Sequence, residues 1–266
     1  MEAPKKSLGQ HWLHDRAILQ AMCDAADITS DDTVLEIGPG LGTLTAELVQ
    51  RAREVIAVEY DAILASSLPT RVRAKNLTII SGDILEFDLL TLPKGYKVAA
   101  NVPYYITSKI VRLLLESPNP PQTIALLVQK EVAERLAADA GSMSILAVSA
   151  QFYADVSLGH IVPAELFTPP PQVDSQIVRL RYTGPKFTDI NPNDFFRVVR
   201  AGFSERRKKL RSSLSGGLQL PKNVVDELLR TANIPTEARA QELDLDQWHQ
   251  LTVSWLILTP KQNNAL

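Results

Sequence analysis

Cysteine is nearly absent: Cys23 is the sole example in 266 residues. That excludes an internal disulfide framework and fits a reducing cytosol. No apolar run approaches the roughly 18 residues needed to cross a bilayer. The N-terminal stretch MEAPKKSLGQHWL is basic but has no apolar segment behind it, so neither a secretory signal nor an anchor is read there. These gaps predict a soluble, cytoplasmic protein, with a monomer as the default. His14, His160 and His249 lack metal-ligand spacing, and one cysteine offers no zinc site, so no metal is expected. A G-x-S-x-G elbow and a G-x-x-x-x-G-K-[ST] loop are both missing, which removes support for hydrolase and NTPase chemistry. Excess charge is missing too. A net charge of −2 argues weakly against a nucleic-acid partner, although an average can hide a patch.

What is present is an alternation. From residue 33 short β-branched runs (TVLEI, EVIAVE, LTIIS, KVAAN) are separated by helix-length segments, the pattern of parallel βαβ units. A helix at about 107–117, the strand TIALLVQ at 123–129 and the helix KEVAERLAAD continue it, which predicts a doubly wound sheet. After residue 145 two longer strands are expected, AQFYADVSLGHIV and DSQIVRLRYT, joined through FTPPPQVDS and paired as an antiparallel edge. Beyond GPKFTDINPND the chain reads as helices, with Phe196, Val199, Phe203, Leu210 and Leu214 on one face. The expected division is an α/β domain over 1–184 and a small all-α domain over 185–266, with PKQNNAL as a frayed tail.

LEIGPGLGTLT places Gly38, Gly40 and Gly42 between a strand and a helix, where the backbone can approach a ligand at the helix N-terminus. A dinucleotide fingerprint requires glycine at 43, where this chain has Thr43; G-x-G-x-G is what S-adenosylmethionine enzymes tend to show. Glu59 ends the next strand, 21 residues after Gly38, where a carboxylate can accept both ribose hydroxyls. Asp83 follows LTIIS and can accept from the adenine amino group. Either acid alone is as well explained as a strand end or a turn cap. Together with Asn101 they would line one crevice from four strand tips.

ANVPYYIT raises a separate question, because Asn101 ahead of Val-Pro cannot continue a helix and so should end a strand. Asn101 Oδ1 and the Val102 or Pro103 carbonyl could hold the two hydrogens of an amino group on a flat ring. That favours a more tetrahedral nitrogen whose lone pair points at a methyl donor. Tyr104 would stack on the ring.

KKSLGQHWL, LEIGPGLGTLT, ANVPYYIT, VQKEVAERL, FTPPPQVDSQIVRL and GFSERRKKLRSSL together resemble the bacterial small-subunit ribosomal RNA adenine N6,N6-dimethyltransferase family, over nearly the whole chain. The resemblance implies a Rossmann-like S-adenosylmethionine-dependent catalytic domain and a helical RNA-binding domain. It also implies dimethylation of two adjacent adenosines in the 3′-terminal hairpin loop of small-subunit (16S) rRNA during 30S assembly. It assigns cofactor contacts to His11, Leu13, Gly38, Gly40, Glu59, Asp83 and Asn101. Target-base contacts would fall to Asn101, Pro103, Tyr104 and Phe167, the last presenting its ring from a proline-stiffened loop. The chain departs from the family at Val102, usually Leu, at His11, often Asn, and at MSILA (143–147), where relatives have Tyr-Gly-x-Leu-Ser.

Residues 197–211 hold seven Lys/Arg against one acid, Glu205. Arg200, Arg206, Arg207, Lys208 and Arg211 are expected to meet RNA phosphates, positioning the substrate without reading its sequence. Two rivals remain: the related large-subunit rRNA adenine methyltransferase of antibiotic resistance, and a non-catalytic RNA-binding assembly factor.

Overall fold

Runs of aliphatic and β-branched residues without polar alternation suit strands covered on both faces. In the computed structural model, which describes residues 10–205 and 207–259 apart from the Tyr104 side chain, such runs form the centre of a large sheet. Arg206, the start of KKSLGQHWL and the expected frayed tail therefore lie outside the described residues. The strands are β1 (Trp12–Leu13), β2 (Thr33–Ile37), β3 (Glu54–Glu59), β4 (Leu77–Ser81), β5 (Lys97–Asn101), β6 (Thr123–Gln129), β7 (Ala154–Val162), β8 (Phe167–Thr168) and β9 (Ser175–Tyr182). The helices are α1 (Arg16–Ala25), α2 (Thr43–Arg51), α3 (Ala62–Arg71), α4 (Thr107–Leu115), α5 (Lys130–Leu136), α6 (Ile145–Tyr153), α7 (Pro192–Gly202), α8 (Leu210–Gly217), α9 (Lys222–Thr231) and α10 (Leu245–Leu258).

The chain divides into two compact units, residues 1–134 with 154–183, and residues 135–153 with 184–266. The stretch 135–153 was expected in the first domain and belongs to the second unit instead. In the first unit seven strands run in the order β4-β3-β2-β5-β6-β9-β7. The first five are parallel, and β9 is antiparallel to both its neighbours. The antiparallel pairing of the last two long strands is as expected, but β9 lies inside the sheet and, of the two, only β7 is at an edge. Strand order reverses between β2 and β5, so a crevice opens outside the carboxyl ends of those two strands. At the opposite end Lys97, 6 % exposed, donates to Asp32 (2.9 Å) and to the Asp27 carbonyl. A separate antiparallel pair joins β1 to β8, with Leu13 opposite Phe167.

Two sequence expectations are corrected. Ala150–Tyr153 complete α6 rather than begin a strand, and MSILA leads into that helix, whose first turn is held by the Ser144 hydroxyl accepting from the Ala147 N–H (3.2 Å). Seven of its nine residues are buried, so it carries no one-sided stripe that periodicity could reveal. The single apolar face read from Phe196 to Leu214 is divided between two helices, since the chain breaks after Gly202 into α7 and α8. Gly202 lies hard against the Trp248 ring, and Ser204 Oγ donates to the Ala201 carbonyl at 2.8 Å, closing α7. Of the five apolar residues expected there, Phe196, Val199, Leu210 and Leu214 are buried and Phe203 is half-buried. No helix among the described residues is long and apolar enough to cross a membrane.

Candidate active site

A cavity of about 380 Å³ opens at the reversal point, entirely within the first unit. Its floor is the glycine turn after β2. Gly38 and Gly40 have φ of 66° and 57°, a backbone region open to glycine at little cost. Gly42, at φ 84°, starts α2 without a side-chain cap, and a Cβ there would meet Leu68 Cδ1 at 2.6 Å. The turn therefore seats the helix against α3 and leaves the positive end of α2 facing the cavity.

Every residue expected to touch the cofactor lines this one space: His11, Leu13, Gly38, Gly40, Glu59, Asp83 and Asn101, with Pro103 beside them. Glu59, 6 % exposed, accepts the Gly40 N–H through Oε2 (3.0 Å) and the Asp61 N–H through Oε1 (2.8 Å). Burial pushes its carboxyl above the ordinary range, and those N–H groups pull it partly back. Asp83 Oδ1 accepts the Leu85 N–H at 2.9 Å, so it caps a 3₁₀ turn and stands on the cavity wall at once. Asn101, the last residue of β5, donates through Nδ2 to the His11 carbonyl at 3.0 Å. With its nitrogen committed there, the amide presents its oxygen as the acceptor. His11 in turn has Nδ1 2.8 Å from the Pro169 carbonyl; a carbonyl only accepts, so Nδ1 carries the proton.

Phe167 is a correction. Its ring is 2 % exposed and packs in the core with Leu13, Leu19 and Met22, not on the cavity wall. Pairing of β8 with β1 directs it inward opposite Leu13. The Tyr104 ring lies outside the described residues.

Sequence reasoning missed three wall residues. Glu36 is 1 % exposed, and its Oε2 is buried with no hydrogen-bond partner among the described residues. Burial pushes its carboxyl up to about 8, Thr45 pulls it back, and the nearby charge of Glu59 raises it further. A single carboxylate inside the apolar run TVLEI was the available signal. Tyr60 and Tyr105, each 65 % exposed at the rim, carried none beyond their neighbours in sequence. Two buried acids beside a helix N-terminus and an open glycine turn fit a ligand with both cationic and anionic groups, as the methionine end and sulfonium of S-adenosylmethionine have. Among the described residues no group of three or more His, Cys, Asp or Glu could hold a metal ion.

In the second unit Arg200 and Arg207 are exposed. Lys208 is paired with Glu205, Lys209 with Glu237, and Arg211 with Asp226 through two hydrogen bonds of 2.5 and 2.7 Å. Arg197 lies over the Trp255 ring at 5.0 Å. The basic run is thus less bare than its sequence suggests, because Asp226 and Glu237 come from outside the window.

The ribosomal RNA adenine dimethylase family pattern matches residues 1–257. A protein named ribosomal RNA small subunit methyltransferase A from Dehalococcoides mccartyi (strain CBDB1) is 41 % identical over 256 residues, covering 94 % of this chain and 88 % of its own. The crystal structure of a dimethyladenosine transferase from Plasmodium falciparum superposes with a TM-score of 0.79 at 28 % identity, over 93 % of this chain and 98 % of that one. The 23S rRNA methyltransferase ErmE superposes with a TM-score of 0.74 at 30 % identity, over 91 % and 98 %. The extent and identity of these matches decide the matter: the chain belongs to the ribosomal RNA adenine dimethylase family.

Proposed function

We propose that this protein dimethylates N6 of two adjacent adenosines in the 3′-terminal hairpin loop of small-subunit rRNA, acting as a monomer in the cytoplasm on a 30S precursor. As a member of its family it is an S-adenosylmethionine-dependent rRNA adenine dimethyltransferase. The observation that carries the finer reading is the Asn101 amide, fixed by the His11 carbonyl beside the glycine turn.

When bound, S-adenosylmethionine supplies an electrophilic methyl group on a positively charged sulfur. Glu59 would accept from its ribose, Asp83 from its adenine, and the Gly38–Gly40 backbone and α2 N-terminus would hold the amino-acid end, with His11 and Leu13 closing the space. Asn101 Oδ1 and the Val102 or Pro103 carbonyl accept the two hydrogens of the adenosine amino group. The amine lone pair, otherwise delocalised into the ring, is thereby turned toward the methyl carbon. Transfer would form the C–N bond as the C–S bond breaks, and the nitrogen would then shed a proton to solvent. The same geometry serves a second round on the monomethylated nitrogen, which still has one hydrogen to donate. Tyr104 is assigned to stack on the target base, while the Phe167 ring is turned into the core.

The test incubates undermethylated small subunits and, separately, large-subunit RNA with labelled S-adenosylmethionine, followed by digestion. N6,N6-dimethyladenosine in the small-subunit digest is expected. Label in large-subunit RNA alone would favour the reading suggested by likeness to ErmE. Label in neither would leave a binding protein.

A further inference from the structure

Tyr105 follows the Asn-Val-Pro-Tyr motif directly, lines the rim of the cavity and leaves 65 % of its surface in solvent. An exposed ring at such a place has no folding role to explain it. The 3₁₀ turn Tyr104–Ile106 runs straight into α4, so Tyr105 and Lys109 stand four residues apart on one continuous helical path, and both line the cavity. Lys109 is exposed, and among the described residues no carboxylate is paired with it. Past Lys109 the wall continues into an open groove of about 700 Å³ that shares Leu85 and Lys109 with the cavity. Its apolar surface comes from Phe87, Leu113 and Leu90, the last 63 % exposed.

An adenosine drawn out of its stack leaves the adjacent base without a partner on one face. An aromatic ring beside the entrance replaces that partner whatever the base, because every base has a π face. A cation one turn away meets the phosphate that joins the two nucleotides. We propose that Tyr105 and Lys109 form a subsite for the nucleotide next to the target adenosine, its base on the Tyr105 ring and its phosphate on the Lys109 ammonium, with the strand leading off along the α4 groove. This rests on the methyltransferase reading above and adds a second nucleotide to it.

The experiment compares wild type, Tyr105→Ala, Tyr105→Phe and Lys109→Ala. It measures kcat and KM for small-subunit RNA, and the Kd of S-adenosylmethionine by calorimetry. Loss of one base stack predicts a KM increase of roughly 10- to 100-fold for Tyr105→Ala, with recovery in Tyr105→Phe, which keeps the ring. Lys109→Ala is expected to raise KM and make the salt dependence of RNA binding shallower by about one phosphate contact. The Kd of the methyl donor stays within twofold in all variants, which also reports that the fold is intact. An unaltered KM in Tyr105→Ala, or a loss that falls on donor affinity instead, overturns the subsite while leaving the methyltransferase reading standing. A wild type that transfers no methyl group overturns that reading and the subsite with it.

Discussion

In the mechanism proposed above, Asn101 is where one side chain separates binding from chemistry. Its oxygen is aimed by a hydrogen bond from its nitrogen to His11, 90 residues earlier. Truncation to alanine removes an acceptor used most strongly as the amine becomes tetrahedral, so Asn101→Ala should lose turnover by about 10²–10³-fold. Donor affinity, set by the carboxylates and the glycine turn, should change far less. Equal losses in single-turnover kinetics and in donor Kd would move the amide to the binding role. Glu36 makes a different residue-scale prediction. Its folded carboxyl stands at about 8, above the ordinary 4.5, so its favourable contribution is complete below the unfolded value and disappears as pH rises through the folded one. The melting temperature should fall across that window, and Glu36→Gln should flatten the fall. A variant whose melting curve keeps the wild-type slope would assign the dependence to other groups.

At the level of elements, the parallel strands were legible because each is a short, mostly aliphatic and β-branched run closed by a turn signal. TVLEI, EVIAVE, LTIIS, KVAAN and TIALLVQ became β2 to β6 with the same bounds. The helix α6 was not legible, since a segment buried nearly all round has no polar face to set a period. The break between α7 and α8 escaped because it depends on Trp248, about 45 residues away, rather than on any local breaker strong enough to read. The packing of α7 on α8 is similarly long-range in cause. Gly217 has room for no side chain, since a Cβ there would meet the Ala201 Cα at 2.6 Å, and backbone cannot step aside as a side-chain tip can. Gly217→Ala should cost about 1–3 kcal/mol, as overpacking does, visible as a lower denaturant midpoint with an unchanged m value. No loss would mean that the helices slide apart freely.

On the scale of the whole molecule, a net charge of −2 conceals a basic run whose strength depends on what the acids around it do. Composition and a sequence window both missed this: the first averaged the patch away, and the second left out the carboxylates that fold against it. RNA phosphates meeting this face, as proposed, would have to displace Glu205 from Lys208 and Asp226 from Arg211, whereas Arg200 and Arg207 are already exposed. Replacing Arg207 and Lys208 together by alanine should weaken binding across RNA sequences. The slope of log K against log salt should shrink by somewhat less than two contacts. A slope equal to that of the wild type would take this face out of the RNA footprint. The candidate site itself was legible in its strand-tip residues, which the topology brings together, but not in the rim tyrosines or in the inward turn of Phe167. Those are set by tertiary pairing, and no single segment carries them.

The second unit is entered twice, first through residues 135–153 and again after β9. Its aromatic interior reflects this, with the Phe152 ring of the early segment tilted against Phe195 of the late one, centroids 4.6 Å apart. The polypeptide therefore cannot be divided by one cut. A fragment ending at residue 183 would keep α6 while discarding the helices that shield Phe152, and would trade a buried ring for a sticky one.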